Sequence, residues 1–299
     1  MHCIVMVFMK FTRYILFLLV LTSCEKSVEF PLRNNTPMLV VDAAIETGTP
    51  PRVVLSKSFN FFASFSANIL DTAFVKDADV VIAEGNTSYS LKRFDVSFGN
   101  GLGYSYYTTD PSSALIGVEG KTYTLTIRWK GNTYLATTSI PLPLKTMDSI
   151  WWVKAPATPD TSTRVVVRGK FTDPPRFGNY IRYFTRVNSQ PFYAGLNSVF
   201  DDQFVNGTSY IVDIYRGVNR NDSLNFDDYG FFRRGDTVTV KLSNIDKATY
   251  DFWRTVEFSY SSIGNPFASP VKILGNVSGG ALGYFGGYAN RFRTIIIPR

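Results

Sequence analysis

The stretch from Lys121 to Ser139, KTYTLTIRWKGNTYLATTS, decides the fold. Tyr123, Leu125, Ile127 and Trp129 recur at every second residue, Lys130-Gly131-Asn132 supplies a turn, and Tyr134 to Ser139 runs back. Alternate side chains of a strand point to opposite faces, so this period marks half-buried strands joined in a hairpin. The same pattern continues upstream. Leu39, Val41, Ala43 and Ile45 alternate, Val53-Val54-Leu55 follows, and Asp79 to Ala83 closes on the turn Glu84-Gly85-Asn86. About seven short strands between residues 38 and 144 predict a small sandwich of immunoglobulin-like or fibronectin-like type. No Cys…Trp…Cys signature accompanies it.

Downstream, Pro141-Leu142-Pro143 ends that module, and a second β-rich domain is expected over residues 145–299, with Trp151-Trp152 at its seam. Strand candidates are Arg164 to Phe171, Tyr180 to Val187, Tyr210 to Tyr215, Thr237 to Leu242 and Arg293 to Ile297. One helix is predicted over 246–261. Ala248, Phe252, Val256 and Tyr260 form a stripe four residues apart, Asn244 or Asp246 can cap its start, and Gly264 and Pro266 can end it. The fold class is thus mainly β, a sandwich followed by a β-rich domain with one helix in the C-terminal half. Composition agrees, since 15% of residues are aromatic and turn formers are plentiful.

The N-terminus reads as an address. Lys10 and Arg13 precede the apolar run Tyr14 to Leu21, too short to span a bilayer, which takes about 20 residues. Leu21-Thr22-Ser23-Cys24 then resembles a bacterial lipobox. Residues 1–23 are expected to be a signal peptide, starting at Met1 or Met9. Cys24 is the expected lipidation site, and residues 24–37 an extended tether holding the protein to membrane lipid.

Cleavage before Cys24 has chemical consequences. His2 is the sole histidine and Cys3 the sole other cysteine, and both precede the cut. The mature chain then holds no histidine, free thiol or disulfide. Zinc sites built on His or Cys, Ser-His-Asp triads and Cys-His dyads are excluded from it. The formal charge of +7 falls to +5 with Lys10 and Arg13, spread without a basic block, so no nucleic-acid partner is expected.

The remaining motifs are weak. Gly275 to Tyr288 lacks the Gly-Lys-Ser/Thr ending of a phosphate loop, and reads as turns and close backbone approach, with Leu282, Tyr284 and Phe285 inward. Asp201-Asp202 and Asp227-Asp228 are the best acid pairs for carboxylate-only glycosidase chemistry, but neighbours on a strand face opposite ways. Asp222, Asp227 and Asp228 are a calcium candidate without EF-hand spacing. Arg234-Gly235-Asp236 reads as a turn. Tyr104, Tyr106, Tyr107, Phe231 and Phe232 are read as loop aromatics able to contact a ligand or partner. No catalytic residue and no cofactor is expected.

The chain as a whole resembles the domain-of-unknown-function family four-two-four-nine. The resemblance rests on Ser23-Cys24-Glu25-Lys26, Leu39-Val40-Val41-Asp42, Lys76-Asp77-Ala78-Asp79-Val80, Gly120 to Leu125, Phe171-Thr172-Asp173-Pro174 and Arg234-Gly235-Asp236. Its most specific part is Asn265-Pro266-Phe267, Pro270, and Gly275-Asn276-Val277 leading to Gly280 through Phe285. It implies an outer-membrane lipoprotein of the Bacteroidota, often encoded beside a TonB-dependent transporter, with no established activity to carry over. Acidic residues after the lipidated Cys accompany surface display in such proteins. Here Glu25 and Glu29 flank Lys26, so the facing leaflet stays open. The expected role is a binding or accessory component. The alternatives are a carboxylate-only hydrolase and a structural envelope protein.

Overall fold

The computed structural model describes residues 37–59, 73–99, 102–156, 162–265, 267–269 and 271–299. The lipobox and the tether up to Thr36 lie outside these residues. The fold is mainly β. Strands β1 (Leu39–Glu46), β2 (Arg52–Lys57), β5 (Lys92–Gly99) and β6 (Leu102–Thr108) form one end of an eight-stranded sheet. A four-stranded sheet packs on that end, built from β3 (Asp79–Glu84), β4 (Thr87–Ser90), β7 (Thr122–Trp129) and β8 (Asn132–Ser139) in the order β4-β3-β7-β8.

The predicted hairpin is β7–β8. Trp129 pairs with Asn132, leaving the two-residue loop Lys130-Gly131. Both loop residues have positive φ (48° and 78°), as the tightest right-twisted hairpin turn demands. Tyr123, Leu125 and Ile127 are fully buried and meet Leu39, Val41, Ile45, Val53, Leu55 and Ile82 in one core. The period of two therefore does select the inward face.

A third sheet contains β9 (Thr146–Lys154), β10 (Arg164–Thr172), β13 (Ser209–Ile214) and β14 (Phe232–Arg233), with β10 central. The eight-stranded sheet is completed by β11 (Tyr180–Val187), β12 (Tyr193–Phe200), β15 (Thr237–Ile245) and β16 (Leu282–Ile296), in the order β12-β11-β15-β16-β1-β2-β6-β5. Its joint is β16. Residues Leu282 to Tyr288 pair in parallel with β1, and Tyr288 to Ile296 pair antiparallel with β15. One sheet thus holds strands from both sides of residue 144. Just past that point, the side chain of Lys145 is fully buried 3.1 Å from that of Asp173. The Lys145 backbone exchanges two hydrogen bonds with the Asn244 amide.

The last strand is longer than predicted, because the second half of the glycine-rich run, Leu282 to Tyr288, is strand, while Gly279-Gly280 form the turn before it. A Cβ on Gly283 would overlap the Val41 carbonyl, and one on Gly287 the Ser139 carbonyl, so glycine allows the close approach read from the sequence. Tyr284 and Phe285 point inward as expected, whereas Leu282 is 44% exposed. It begins the strand before the second layer covers it.

The helix α1 (Lys247–Ser261) starts on Asp246, whose side chain accepts from Thr249 N at 2.8 Å. The same carboxylate accepts from Thr138 Oγ1 and Ser139 N, which ties the helix start to β8. Its most buried residues are Thr249, Tyr250, Thr255 and Glu257, not the predicted stripe, and Tyr260 is exposed. Polar anchoring sets that rotation: Glu257 accepts from the backbone N–H of Ser198 at 2.9 Å and from its hydroxyl.

Candidate functional site

A cavity of about 760 Å³ lies between the third sheet and the adjoining end of the long one. Ile181 and Tyr183 of β11, Val199 of β12, and Val240 and Leu242 of β15 line one wall. Phe171 of β10, with Tyr210, Val212 and Ile214 of β13, lines the other. β12 and β13 are edge strands, and the mouth carries Phe200, Phe204 and Tyr215, all well exposed. Phe204 is 96% exposed, on the turn that follows β12.

The walls are apolar, with a few polar groups set into them, the usual composition of a small-molecule site. The hydroxyls belong to Tyr183, Tyr210, Tyr215, Tyr229 and Tyr250. The Tyr250 hydroxyl donates to Asp201 Oδ2 at 2.9 Å. Burial, then that carboxylate, pushes Tyr250 up to about 12. Burial also raises Tyr183, Tyr210 and Tyr229 above the ordinary tyrosine value. These hydroxyls stay neutral near pH 7 and serve as hydrogen-bond donors and acceptors. The second acid of the lining, Asp213, is paired with Arg168 at 2.8 Å.

Glycine shapes the walls. A Cβ on Gly195 would overlap the Tyr183 hydroxyl, so the absence of a side chain on β12 lets that ring lie across it. Gly230, at φ +90°, leaves room for the Tyr215 ring, which stacks on Tyr229 with centroids 6.1 Å apart.

The residues singled out in the sequence are dispersed. Asp201 reaches the cavity, while its neighbour Asp202 is buried and accepts from the Asn179 backbone and side chain at 2.9 and 3.0 Å. Both lie in the turn after β12 and not on a strand, so the turn, not strand alternation, divides the doublet. Asp227 is exposed, and Asp228 is held by Arg164 at 3.0 Å and Arg233 at 2.7 Å. Asp222 accepts from Asn219. Among the described residues no three acids gather to hold a metal ion, so Asp222, Asp227 and Asp228 do not form the calcium candidate. Arg234-Gly235-Asp236 is the turn between β14 and β15, where Asp236 accepts from Arg233 N at 2.8 Å.

The aromatics read as loop residues are mostly strand residues. Tyr104, Tyr106 and Tyr107 lie on β6, and Phe232 lies on β14. Tyr107 is 2% exposed, its hydroxyl donating to the Val75 carbonyl and accepting from Ala78 N. Phe232 is fully buried, so neither ring faces a partner. Tyr104 and Tyr106 stack with each other and with Phe98 and Phe94, centroids 5.8 to 5.9 Å apart. Phe231 is half-buried beneath the Arg164 guanidinium. Trp151 and Trp152 sit half-buried on β9, with Arg234 over the Trp152 ring.

Residues 25–294 match the model of a family described as a domain of unknown function (DUF4249). The chain belongs to the DUF4249 family. No curated protein matches it. Of the lining of this DUF4249 protein's cavity, the sequence marked only Asp201, in the acid doublet, and Phe171, in the family resemblance. Tyr180 to Val187 and Tyr210 to Tyr215, which supply both walls, were legible as strands but not as a site. Among the described residues no helix is long and apolar enough to cross a membrane.

Proposed function

We propose that this DUF4249 protein is a lipid-anchored binding component of the outer membrane. It captures a small, largely apolar ligand bearing hydroxyl or carbonyl groups, and works beside a TonB-dependent transporter. The cavity between the two sheets carries this reading: its size suits a small molecule, its walls supply burial, and its neutral tyrosine hydroxyls supply orientation. The Leu21 to Cys24 segment supports the anchor, since two or three acyl chains hold far better than the marginal single one.

Two measurements test it. N-Phenyl-1-naphthylamine, a neutral apolar fluorophore, should bind the purified chain saturably at one site. Val212→Trp, which places an indole in the mouth, should weaken it by about tenfold or more. A linear, unsaturable response, or equal binding by the variant, would remove the cavity from the account. For the anchor, Cys24→Ala should leave the membrane fraction, and equal retention would defeat that part. A tagged wild-type chain should bring down a stoichiometric TonB-dependent transporter from gently solubilised outer membranes.

A further inference from the structure

Strand alternation gives β11 two different faces. Ile181 and Tyr183 face the cavity, while Arg182 and Phe184 face a separate groove of about 580 Å³ on the other side of the sheet. Arg182 is 5% exposed, and its guanidinium carbon lies 3.4 Å from the centre of the Trp253 ring and 4.8 Å from that of Phe184. Its Nε donates to the Ser198 hydroxyl at 3.1 Å, and that hydroxyl donates in turn to Glu257. The nearest carboxylate on this path is therefore one residue removed. Among the described residues Arg182 has no ion pair.

The other charges of the groove are matched locally. Glu46 is held by Lys241 at 2.6 Å and by Asn290, and Asp42 by Arg52 at 3.4 Å. Arg220, at the rim, donates to the Leu196 carbonyl and stacks on Tyr260. Thus the acids carry their own cations, while the buried guanidinium carries none in direct contact. A desolvated cation without a bonded counter-charge is costly, and its planar fork matches a carboxylate. Beside it, Phe192, Tyr193 and Val218 offer a half-buried apolar wall.

We propose that this groove is a second binding site, which takes a small ligand with a carboxylate on a flat apolar or aromatic body. Arg182 receives the carboxylate, Trp253 and Phe184 hold the guanidinium in place, and the Phe192 and Tyr193 wall covers the body. The site is independent of the tyrosine-lined cavity, and stands or falls apart from it.

Trp253 is the reporter, because its indole N–H donates to the Tyr288 hydroxyl at 3.0 Å within the groove. The full chain, labelled with ¹⁵N at tryptophan and assigned with Trp253→Phe, is titrated with benzoate and with its neutral isostere benzamide. Benzoate should shift the Trp253 indole resonance saturably, and benzamide should bind about tenfold more weakly or worse. Arg182→Lys, which keeps the charge but loses the fork, should weaken benzoate by about tenfold. Glu257→Gln, which keeps Arg182 and removes the carboxylate behind Ser198, should tighten benzoate by about threefold. It decides the matter if the Arg182 variant fails to fold. Absence of a saturable shift, equal binding of benzoate and benzamide, or an unchanged affinity in Glu257→Gln overturns the proposal.

Discussion

Between β1–β2 and β3–β7, the facing strands carry Val41, Ile45, Leu55, Ile82, Leu125 and Ile127, each at most 1% exposed. Between β11–β12–β15 and β10–β13, Val165, Val167, Ile181, Ile214, Val240 and Leu242 also pack into a core, and a cavity of about 760 Å³ opens beside it at the edge strands β12 and β13. The first space is closed by aliphatic side chains that interdigitate, around Tyr123, whose hydroxyl accepts from Val118 N at 2.8 Å. The second is bordered by tyrosines, and by an edge strand whose Ile211 and Val212 remain 60% and 44% exposed. Close packing rewards every buried methylene, and the proposed ligand site lies where the second pair of layers departs from it.

The largest effects should sharpen this contrast. Lys145→Met leaves Asp173 buried without its cation and should cost about 3–5 kcal/mol in urea unfolding. Lys145→Met with Asp173→Leu should recover most of that loss, and no recovery would mean that packing, not charge, governs the pair. Leu125→Ala, in the closed layer, should cost about 2–5 kcal/mol, whereas Val212→Ala on the open wall should stay within about 0.5 kcal/mol. Equal costs would erase the difference between the two spaces. Asp246→Ala removes both the helix cap and the link to β8, for about 1–2 kcal/mol.

The remaining two effects are read in pH and in ligand affinity. Tyr250 titrates near 12 in the fold, against about 10 in an unfolded chain. A raised folded value contributes stability below pH 10 that is lost as pH rises through the folded value. Alkaline unfolding should therefore set in between about pH 10 and about 12, and Tyr250→Phe should flatten the slope in that window. An identical slope in the variant would remove Tyr250 as its source. Gly195→Ala should barely change the unfolding midpoint but should displace the Tyr183 ring and weaken N-phenyl-1-naphthylamine by several-fold. Unchanged affinity would show that Tyr183 does not shape the cavity.

Much of the fold was legible because strand period and turn chemistry are local. Leu39 to Ile45, Val80 to Ile82 and the hairpin at Lys130-Gly131 followed directly, as did the helix and its Asp246 cap. The joint at β16 was not legible. Its partners lie some 240 residues away in β1 and some 50 away in β15, and no local pattern encodes that choice. The hairpin β5–β6 was missed because β5 is exposed along nearly all its length and shows no buried face, so Tyr104, Tyr106 and Tyr107 of its partner β6 looked like loop aromatics. The candidate site was the least legible part. A cavity is set by atoms that are missing between two sheets, and Tyr183, Tyr229 and Gly195 reveal their roles only once both walls are in place. The Asp201-Asp202 doublet was noticed for chemistry, whereas the contribution of Asp201 is a hydrogen bond to Tyr250.

The contrast between the two spaces is tested most directly by methyl-labelled NMR of the full chain during titration with N-phenyl-1-naphthylamine. The account predicts saturable shifts for the methyl groups of Ile181, Ile214, Val240 and Leu242, and none for those of Ile82, Leu125 and Ile127. Shifts spread over both sets, or absent from the first, would contradict it.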